Sequence, residues 1–456
     1  MKDNRPISLR TLKEGPEISL SESIERAGRL VSDRVGVISK VDLEELFPGE
    51  PDVYSAHSEP ANVSVLCGQE ALNHGDAASI TPDRAIIKAV GESVERYCSG
   101  QYDLDDLVLT TFEEIEWEAV DPQTFALYSE KQYAQENFPF QPLTPKTPLR
   151  WTEGHSLRDD IPRWVPAGFV YVPYLFSDPE ETPFFNPIST GLACGPDTAW
   201  ALYKSILEVI ERDTFMLVWK NRLSARRMDP WSSSDPFVHQ LLNVLEYVPL
   251  DCQVFHLTSN INVPVMIVVL KSSTAVPYTT LGIGADLDPD RALIQALEEA
   301  YLTFLGMTRF AKMKKDFQPE PDFRDIKTPT LHALAHAVCP ELGSSLDFLT
   351  SSDTQLSFDA IPNLASGSKV ENVKTLVKML ADKGFDVISY DLTTSDVDEV
   401  GFKVVRSVIP GMQPLDINHA RRYQGGRRLY EVPVQMGLLE KPNSEADLNP
   451  YPHPFP

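Results

Sequence analysis

The chain has 456 residues and a formal net charge of −25. This acidic balance argues against binding to a nucleic-acid backbone, which requires clustered Lys and Arg, and the length is sufficient for two or three subdomains. No run approaches about eighteen apolar residues, so we expect no membrane span. Residues 1–15 contain no apolar signal-peptide core, so we expect no secretion signal and a cytoplasmic location.

The cysteines are five in number and scattered, and no two of them form a CxxC pair. They are Cys67, Cys98, Cys194, Cys252 and Cys339. Such a set is typical of reduced thiols, so the sequence predicts no disulfide framework and no zinc site.

The first part of the chain predicts helices at two places. SESIERAGRLVSD is an amphipathic stretch, and a stronger helix is predicted from Pro82 to about Cys98. Thr81 can cap this second helix, proline suits its first turn, and Gly100 can end it. Proline-rich residues 122–187 favour loops and short strands, and RWVPAGFVYVPYLF has the β-branched and aromatic content of strands.

The second half alternates between helices and strands. GPDTAWALYKSILEVIERDTFMLVW predicts a long helix, and CQVFHLT, VPVMIVVLK and YTTLGIGA predict three strands. A third acidic helix begins at Pro289 and continues to about Met307. VENVKTLVKMLADKG predicts a helix that Gly384 ends, and strands follow in FDVISYDL and FKVVRSVIPG. EKPNSEADLNPYPHPFP has too little apolar content to pack alone and should run extended.

Three of the predicted helices carry polar residues at spacings that place them on one helix face. Two share an ExxER spacing and the third a QxxxE spacing: Glu92, Glu95 and Arg96; Glu208, Glu211 and Arg212; Gln295 and Glu299. The first and third helices also resemble each other, because PDRAIIKAVGE and PDRALIQALEE place Glu92 and Glu299 at the same offset. This repeat hints at two related halves that face one another.

The simplest interpretation of any one of these helices is a solvated face with ordinary Glu–Arg pairs. Two observations favour a shared site: the helices are mostly apolar around the acids, and ExxER occurs twice. Carboxylates that converge repel by about 4 kcal/mol per pair at about 4 Å and an effective dielectric near 20, so they need protons, arginines or cations. Mg²⁺ meets that need and commonly brings phosphates. If the helices converge, the sequence therefore predicts a nucleotide held through magnesium.

Two other motifs are better explained by packing than by a metal-binding or catalytic role. His332 and His336 in HALAH have the spacing of a zinc motif but lack its glutamate, so we expect a surface or core pair. Cys194 in GLACG has no neighbouring histidine in the sequence and is predicted to be a small buried thiol.

Taken together, AVGESVERY, STGLACGPDTAWALYKSILEVIERDTF and GADLDPDRALIQALEEA resemble the YcaO family. YDLTTSDV, VVRSVIPGMQPL and RRLYEVPVQMG are similar to its azole-forming branch, the D component of thiazole/oxazole-forming peptide maturases. The resemblance implies an α+β fold in which helices pack on antiparallel sheets around an internal ATP cleft. It also implies an N-terminal segment at 1–60, a catalytic domain at 61–438 and an extended proline-rich tail at 439–456.

The resemblance further implies that ATP and Mg²⁺ are the cofactors. By position, the metal ligands are Glu92, Glu95, Glu208 and Glu211, and the nucleotide contacts are Arg96, Arg212, Gln295, Glu299 and Arg406. Some positions depart from the family pattern. Thr190 stands where the family often has asparagine, Lys88 replaces a common serine, and the turn LNHGDAASI lacks the usual lysine. The details of phosphate contact therefore stay open.

The last residues, PHPFP, match the PxPxP ending of azole-forming members, and we interpret the Pro456 carboxylate as a fixed catalytic base. The implied reaction is ATP-dependent cyclodehydration of Cys, Ser or Thr in a ribosomally made precursor peptide, by phosphorylation of the backbone amide oxygen, to give thiazoline or oxazoline. A thioamide-forming member of the family and a non-catalytic scaffold of a peptide-maturation complex remain as alternatives.

The implied partners are the precursor peptide and a leader-binding protein, an E1-like C component or similar, because the first 60 residues show no adenylating-enzyme-like or winged-helix segment. A flavin dehydrogenase and a homodimer are compatible with the resemblance. We expect neither nucleic acid nor a membrane among the partners.

Overall fold

The computed structural model describes residues 6–47, 50–62, 64, 74–349 and 355–456. Within these ranges the α-helices are α1 (Leu20–Gly28), α2 (Pro82–Ser99), α3 (Phe112–Ile115), α4 (Glu130–Tyr133), α5 (Thr198–Asn221), α6 (Pro236–Asn243), α7 (Pro289–Met313), α8 (Pro329–Val338), α9 (Lys369–Ala381), α10 (Ser395–Glu399) and α11 (Arg427–Gln435). Among the described residues, none of the helices has the length and apolar character needed to span a bilayer.

The strands form three antiparallel sheets. They are β1 (Ile38–Leu43), β2 (Tyr54–Pro60), β3 (Gly75–Ser79), β4 (Val108–Thr110), β5 (Leu149–Ser156), β6 (Ile161–Pro166), β7 (Leu192–Gly195), β8 (Arg226–Met228), β9 (Asp251–Leu257), β10 (Val265–Lys271), β11 (Thr279–Ala285), β12 (Ile388–Asp391) and β13 (Lys403–Val408). The sheet orders are β1-β2-β3, β11-β10-β9-β8 and β4-β5-β12-β13-β7, and β6 pairs with β5. The predicted α+β class, with helices on antiparallel sheets, is confirmed.

The long helices begin and end close to their predicted limits. Pro82 occupies the first turn of α2 and Gly100 is its C-terminal cap, although the Thr81 side chain makes no capping hydrogen bond. α7 extends to Met313, beyond the predicted end near Met307, because its apolar pattern continues into the next two turns. Gly384, with φ +84°, lies just beyond α9 in the left-handed conformation that favours glycine.

One predicted strand is only partly correct. The strand in RWVPAGFVYVPYLF ends at Pro166, and Ala167–Phe169 form a turn of 3₁₀ helix. Proline has no N–H group to donate to a sheet. The remaining β-branched and aromatic residues are buried in a core cluster instead, as Val170 and Tyr171 show.

The three acidic helices pack on neighbouring sheets. α2 contacts β2, β3 and β7; α5 contacts β7, β13 and β11; α7 contacts β3, β10 and β11. Gly282 and Gly284 on β11 permit the closest of these approaches, because a Cβ at either position would clash with the α7 backbone. Strands β3, β7 and β11 each contact two acidic helices, so the sheets hold the three helices around one region.

Candidate functional site

The α2 carboxylates reach the ends of two different sheets. Glu92 Oε2 accepts a hydrogen bond from the Asp76 backbone N–H on β3 at 3.0 Å, and its Oε1 pairs with Arg96 at 3.1 Å. Glu95 Oε1 accepts from the Cys194 N–H on β7 at 2.7 Å. Backbone donors thereby fix the directions of both carboxylates.

α5 repeats this arrangement. Glu208 Oε2 accepts from the Gly191 N–H at 2.8 Å, and its Oε1 pairs with Arg212 Nη2 at 2.7 Å. Arg212 Nη1 donates to Thr190 Oγ1 at 2.8 Å. Gly191 has φ +88°, and a Cβ there would clash with the Ser407 carbonyl oxygen. The STG turn thus needs its glycine to present an N–H group to Glu208.

α7 supplies the third acidic residue through its close packing on β11. Glu299 Oε2 accepts from the Ile283 N–H, which lies between the two glycines of β11, at 2.7 Å. Gln295 lies one turn before Glu299, over Gly284. In each of the three helices, a glutamate therefore accepts a backbone N–H from a neighbouring strand or turn.

The electrostatic interactions show that the three helices bring their acids to one place. Burial raises the pKa of Glu95 to about 8, and the charges of Glu208 and Glu92 add to the shift. Burial also raises the pKa of Glu211 well above its usual range, with contributions from Glu299 and Glu208. The pKa of Glu299 is raised to about 7, mainly by burial. We call Glu92, Glu95, Glu208, Glu211 and Glu299 the carboxylate cluster.

Three arginines surround the carboxylate cluster and keep unused donors. Arg406 is buried and donates to the carbonyl oxygens of Phe169 and Ile188. Burial lowers its pKa to about 9, with Glu208 opposing the change. Arg96 Nε, Arg212 Nε and Arg406 Nη1 are buried and find no hydrogen-bond partner in the described part of the chain. Buried donors of this kind suit an anionic ligand.

A second buried ionic group, which sequence reasoning missed, lies beside the cluster. Glu298 has no exposed side-chain surface and accepts hydrogen bonds from Ser79, Arg84 and Lys88. Lys88, the departure from the family pattern, is therefore an ion-pair partner. One sequence signal could have predicted such an ion pair: a lysine lies four residues before the first glutamate of each ExxER. In α5 that lysine, Lys204, also pairs with a buried acid, Asp286, at 3.0 Å.

The chain end lies beside α5. Phe455 is 1% exposed, its ring centroid is 5.9 Å from Arg212 Cζ, and it packs against Phe215. Pro456, the predicted base, follows directly and is partly exposed. The tail thus brings its final residues next to one of the ExxER arginines.

The two histidines of HALAH lie under the same tail, and of the predicted surface or core pair the structure shows a core pair. Both His332 and His336 are fully buried, and His336 Nε2 lies 2.8 Å from the Pro452 carbonyl oxygen. Of the cysteines, Cys98, Cys194, Cys252 and Cys339 are reduced thiols, whereas Cys67 lies outside the described residues. Cys194 is partly buried, and burial raises the pKa of its thiol, which argues against a nucleophile.

The carboxylate cluster fits a magnesium-bound nucleotide. Its buried acids resist ionisation until a cation neutralises them, and carboxylate oxygens are the ligands that Mg²⁺ prefers. The unpartnered arginine N–H groups have the chemistry to bind phosphate oxygens. The four ExxER glutamates of the cluster (Glu92, Glu95, Glu208 and Glu211) would hold the metal ions, and the arginines would contact the phosphates.

Comparison with protein families agrees with this chemistry. Residues 77–413 match the model of the family described as YcaO cyclodehydratase, ATP and Mg²⁺-binding. An uncharacterised protein of Methanothermobacter thermautotrophicus is 25% identical over 419 residues, which cover 90% of this chain and 97% of that protein. An uncharacterised protein in the tfuA 3′ region of Rhizobium leguminosarum bv. trifolii is 25% identical over 38% of this chain and 42% of its own length.

Solved structures share the fold. A heterocyclase in complex with substrate and cofactor has a TM-score of 0.80 at 24% identity, covering 96% of this chain and 57% of its own. The heterocyclase TruD has a TM-score of 0.65 at 27% identity, covering 82% and 51% respectively. YcaO from Methanopyrus kandleri, bound with AMPPCP and Mg²⁺, has a TM-score of 0.62 at 19% identity, covering 87% and 92%.

This chain spans little more than half the length of the two heterocyclases. The family match nevertheless covers most of the chain and includes all three acidic helices. The chain belongs to the YcaO cyclodehydratase family, whose members bind ATP and Mg²⁺.

Proposed function

We propose that this protein is an ATP-dependent cyclodehydratase that forms azoline rings in a ribosomally made precursor peptide. The observation that carries the proposal is the carboxylate cluster, in which acids from three helices interact electrostatically beside unpartnered arginine donors. ATP with Mg²⁺ satisfies both the acids and the donors, and heterocyclases share the fold.

The reaction would proceed on the backbone of the peptide. A Cys thiol, or a Ser or Thr hydroxyl, loses its proton as it attacks the preceding carbonyl carbon, and the oxyanion that forms accepts the terminal phosphoryl group of ATP. Loss of the amide proton and of phosphate then leaves the thiazoline or oxazoline, with ADP as the other product. Bound Mg²⁺ supplies charge neutralisation for the triphosphate. We assign magnesium binding to Glu92, Glu95, Glu208 and Glu211.

In this proposal the remaining site residues orient the phosphates. Arg96, Arg212 and Arg406 would donate to phosphate oxygens, and each has a buried N–H group available for this purpose. Gln295 and Glu299 would complete the nucleotide site from α7. Arg406 and Glu299 are held by backbone groups, and Arg96 and Arg212 by side-chain partners, before ATP arrives, so little reorganisation of these residues is needed on binding.

The Pro456 carboxylate is our proposed proton acceptor. The packing of Phe455 against Phe215 and near Arg212 supports this role, since it anchors the preceding residue beside the site. Removing residues 452–456 should abolish ring formation, whereas ATP binding should persist. Full-rate ring formation by the truncated protein would remove Pro456 from the mechanism.

Leader recognition would come from a partner protein. We propose a separate leader-binding protein, with residues 61–438 of this chain as the catalytic domain and the cytoplasm as the location. Omitting that partner should raise the KM for the peptide or abolish turnover.

The decisive test is the mass of the peptide product. The protein, its partner, the precursor peptide, ATP and Mg²⁺ are incubated together, and the peptide is analysed by mass spectrometry. We expect the loss of one water mass per ring. A mass gain equal to exchange of oxygen for sulfur, when sulfide is present, would identify a thioamide-forming enzyme, and an unchanged peptide would favour the scaffold alternative.

A further inference from the structure

A second group of metal-ligating side chains lies on the sheet formed by β1, β2 and β3. His57 on β2 is paired directly with Asp76 on β3, and His74 immediately precedes β3. One ligand atom from each of these three residues lies within 4.8 Å of the other two. In the described ranges of the chain, no other set of three His, Cys, Asp or Glu side chains meets this condition.

The contacts in this group centre on the Asp76 carboxylate. Oδ1 lies 2.8 Å from His57 Nδ1, and Oδ2 lies 3.1 Å from His74 Nε2. The two imidazole rings are 4.7 Å apart between centroids, and Glu59 Oε1 lies 3.4 Å from His57 Nε2. All three side chains keep some exposed surface, so an ion can reach them from solvent.

Hydrogen bonds between imidazole and carboxylate account for these distances in the absence of an ion. The ligand set and its spacing nevertheless match a metal site. Two imidazoles and one carboxylate recur in zinc and non-haem iron centres. Ligands about 2.0–2.2 Å from a tetrahedral ion lie roughly 3.4 Å from each other. Side-chain rotations that move the ligand atoms by about 1 Å would therefore bring the three ligand atoms to this separation, with a fourth position left for water.

We propose that His57, His74 and Asp76 form a binding site for a borderline divalent transition-metal ion such as Zn²⁺. Imidazole nitrogen suits such ions, whereas Mg²⁺ takes oxygen ligands, so this site and the carboxylate cluster select different metals. The sequence predicted no zinc site because the cysteines form no motif. Only the pairing of β2 with β3 brings the histidines and the aspartate together.

The metal site is connected to the carboxylate cluster through one residue. The Asp76 backbone N–H donates to Glu92 Oε2, while the Asp76 side chain contacts both histidines. An ion bound to the Asp76 carboxylate would fix the strand end that orients Glu92. This positioning role rests on the proposed function, whereas metal binding itself does not.

The test is a zinc titration of the full chain. Protein freed of metal by a chelator is titrated with Zn²⁺ in excess Mg²⁺ and followed by calorimetry and thermal melting. We expect one Zn²⁺ per chain and a higher Tm. His57→Gln, His74→Gln and Asp76→Asn should each weaken binding by more than about 100-fold, since even outer-shell partners are worth about 10–100-fold.

His155→Gln is the matched control. His155 also lies 2.9 Å from an aspartate, Asp160, but this pair is not part of a three-residue group within the described chain. This variant should bind Zn²⁺ like the unaltered protein. Co²⁺ in place of Zn²⁺ should give visible d–d absorption without a thiolate charge-transfer band. The site would be overturned if the unaltered protein failed to bind Zn²⁺, or if all three ligand variants bound Zn²⁺ as tightly as the unaltered protein. A thiolate band would also overturn it.

Discussion

Glu298 and Glu299 are adjacent on α7, yet their surroundings differ completely. Arg84, Lys88 and Ser79 hold Glu298, and these partners outweigh burial and lower its pKa to about 2. Glu299 faces the carboxylate cluster, and its pKa is raised to about 7 by burial. One acid is an anion that is paired within the protein, whereas burial favours the protonated form of the other.

The difference distinguishes a structural charge from a ligand-binding one. Glu298 links α7 to β3 and α2 by charge-assisted hydrogen bonds. It therefore holds two of the acidic helices, α2 and α7, against each other and against β3. Burial raises the pKa of Glu299, and likewise that of Glu95 and Glu211 in the cluster. A buried acid with a raised pKa next to other acids is therefore the better indicator of the metal site.

The largest expected effect is on stability, from Glu298→Ala. The substitution leaves Arg84 and Lys88 without their buried partner, and breaking a buried pair costs about 3–5 kcal/mol. Urea denaturation should show this loss in the free energy of unfolding. Glu371→Ala, which removes an exposed pair with Lys374, is the control and should change stability by less than about 1 kcal/mol. Equal effects of the two substitutions would contradict the structural role of Glu298.

The next effect is on catalysis, from Glu211→Gln in the cluster. Loss of one preorganised charge from a catalytic site typically lowers kcat by about 10²–10³-fold. We expect a fall of that size in ring formation, measured by mass spectrometry, together with weaker Mg²⁺-ATP binding. The unfolding free energy without ligand should not fall, because the substitution removes a poorly solvated acid. A stability loss as large as that of Glu298→Ala would place Glu211 among the structural charges.

The smallest effect is the pH dependence of Glu299→Gln without ligand. Between pH 4.5 and about 7, the folded protein keeps a proton on Glu299 that the unfolded chain has lost. The unaltered protein therefore loses stability at this residue as pH rises through that window, by at most about 1.4 kcal/mol per pH unit. The free energy of unfolding of Glu299→Gln, minus that of the unaltered protein, should therefore increase from pH 4.5 to 7 and then stay constant.

Mg²⁺-ATP provides the control for that experiment. A cation that binds the ionised cluster should restore the free energy of unfolding that the unaltered protein loses near pH 7. It should change the free energy of unfolding of Glu299→Gln only slightly. A constant stability difference between the two proteins from pH 4.5 to 7 would show that Glu299 titrates normally.

Sequence patterns located the helices and the acids on them well, because both are local properties. The apolar periodicity around Glu92 and Glu208 predicted α2 and α5, and i,i+4 spacing predicted the Glu92–Arg96 pair, which the structure contains at 3.1 Å. The interpretation of the sequence failed where the partner of a residue is distant in the chain. Lys88 was interpreted as a departure from the phosphate contacts because Glu298, its partner, is more than two hundred residues away.

By itself, the sequence determined the family, the three acidic helices and the kind of ligand that their carboxylates require. The tertiary structure decided which acids pair with basic residues and which have a raised pKa, as Glu298 and Glu299 show, and it placed Phe455 beside Arg212. It also brought His57 and His74 to one carboxylate. The reason is physical: helix periodicity is encoded within a few neighbouring residues, whereas the pKa of a buried acid depends on charges that only strand pairing and helix packing bring near.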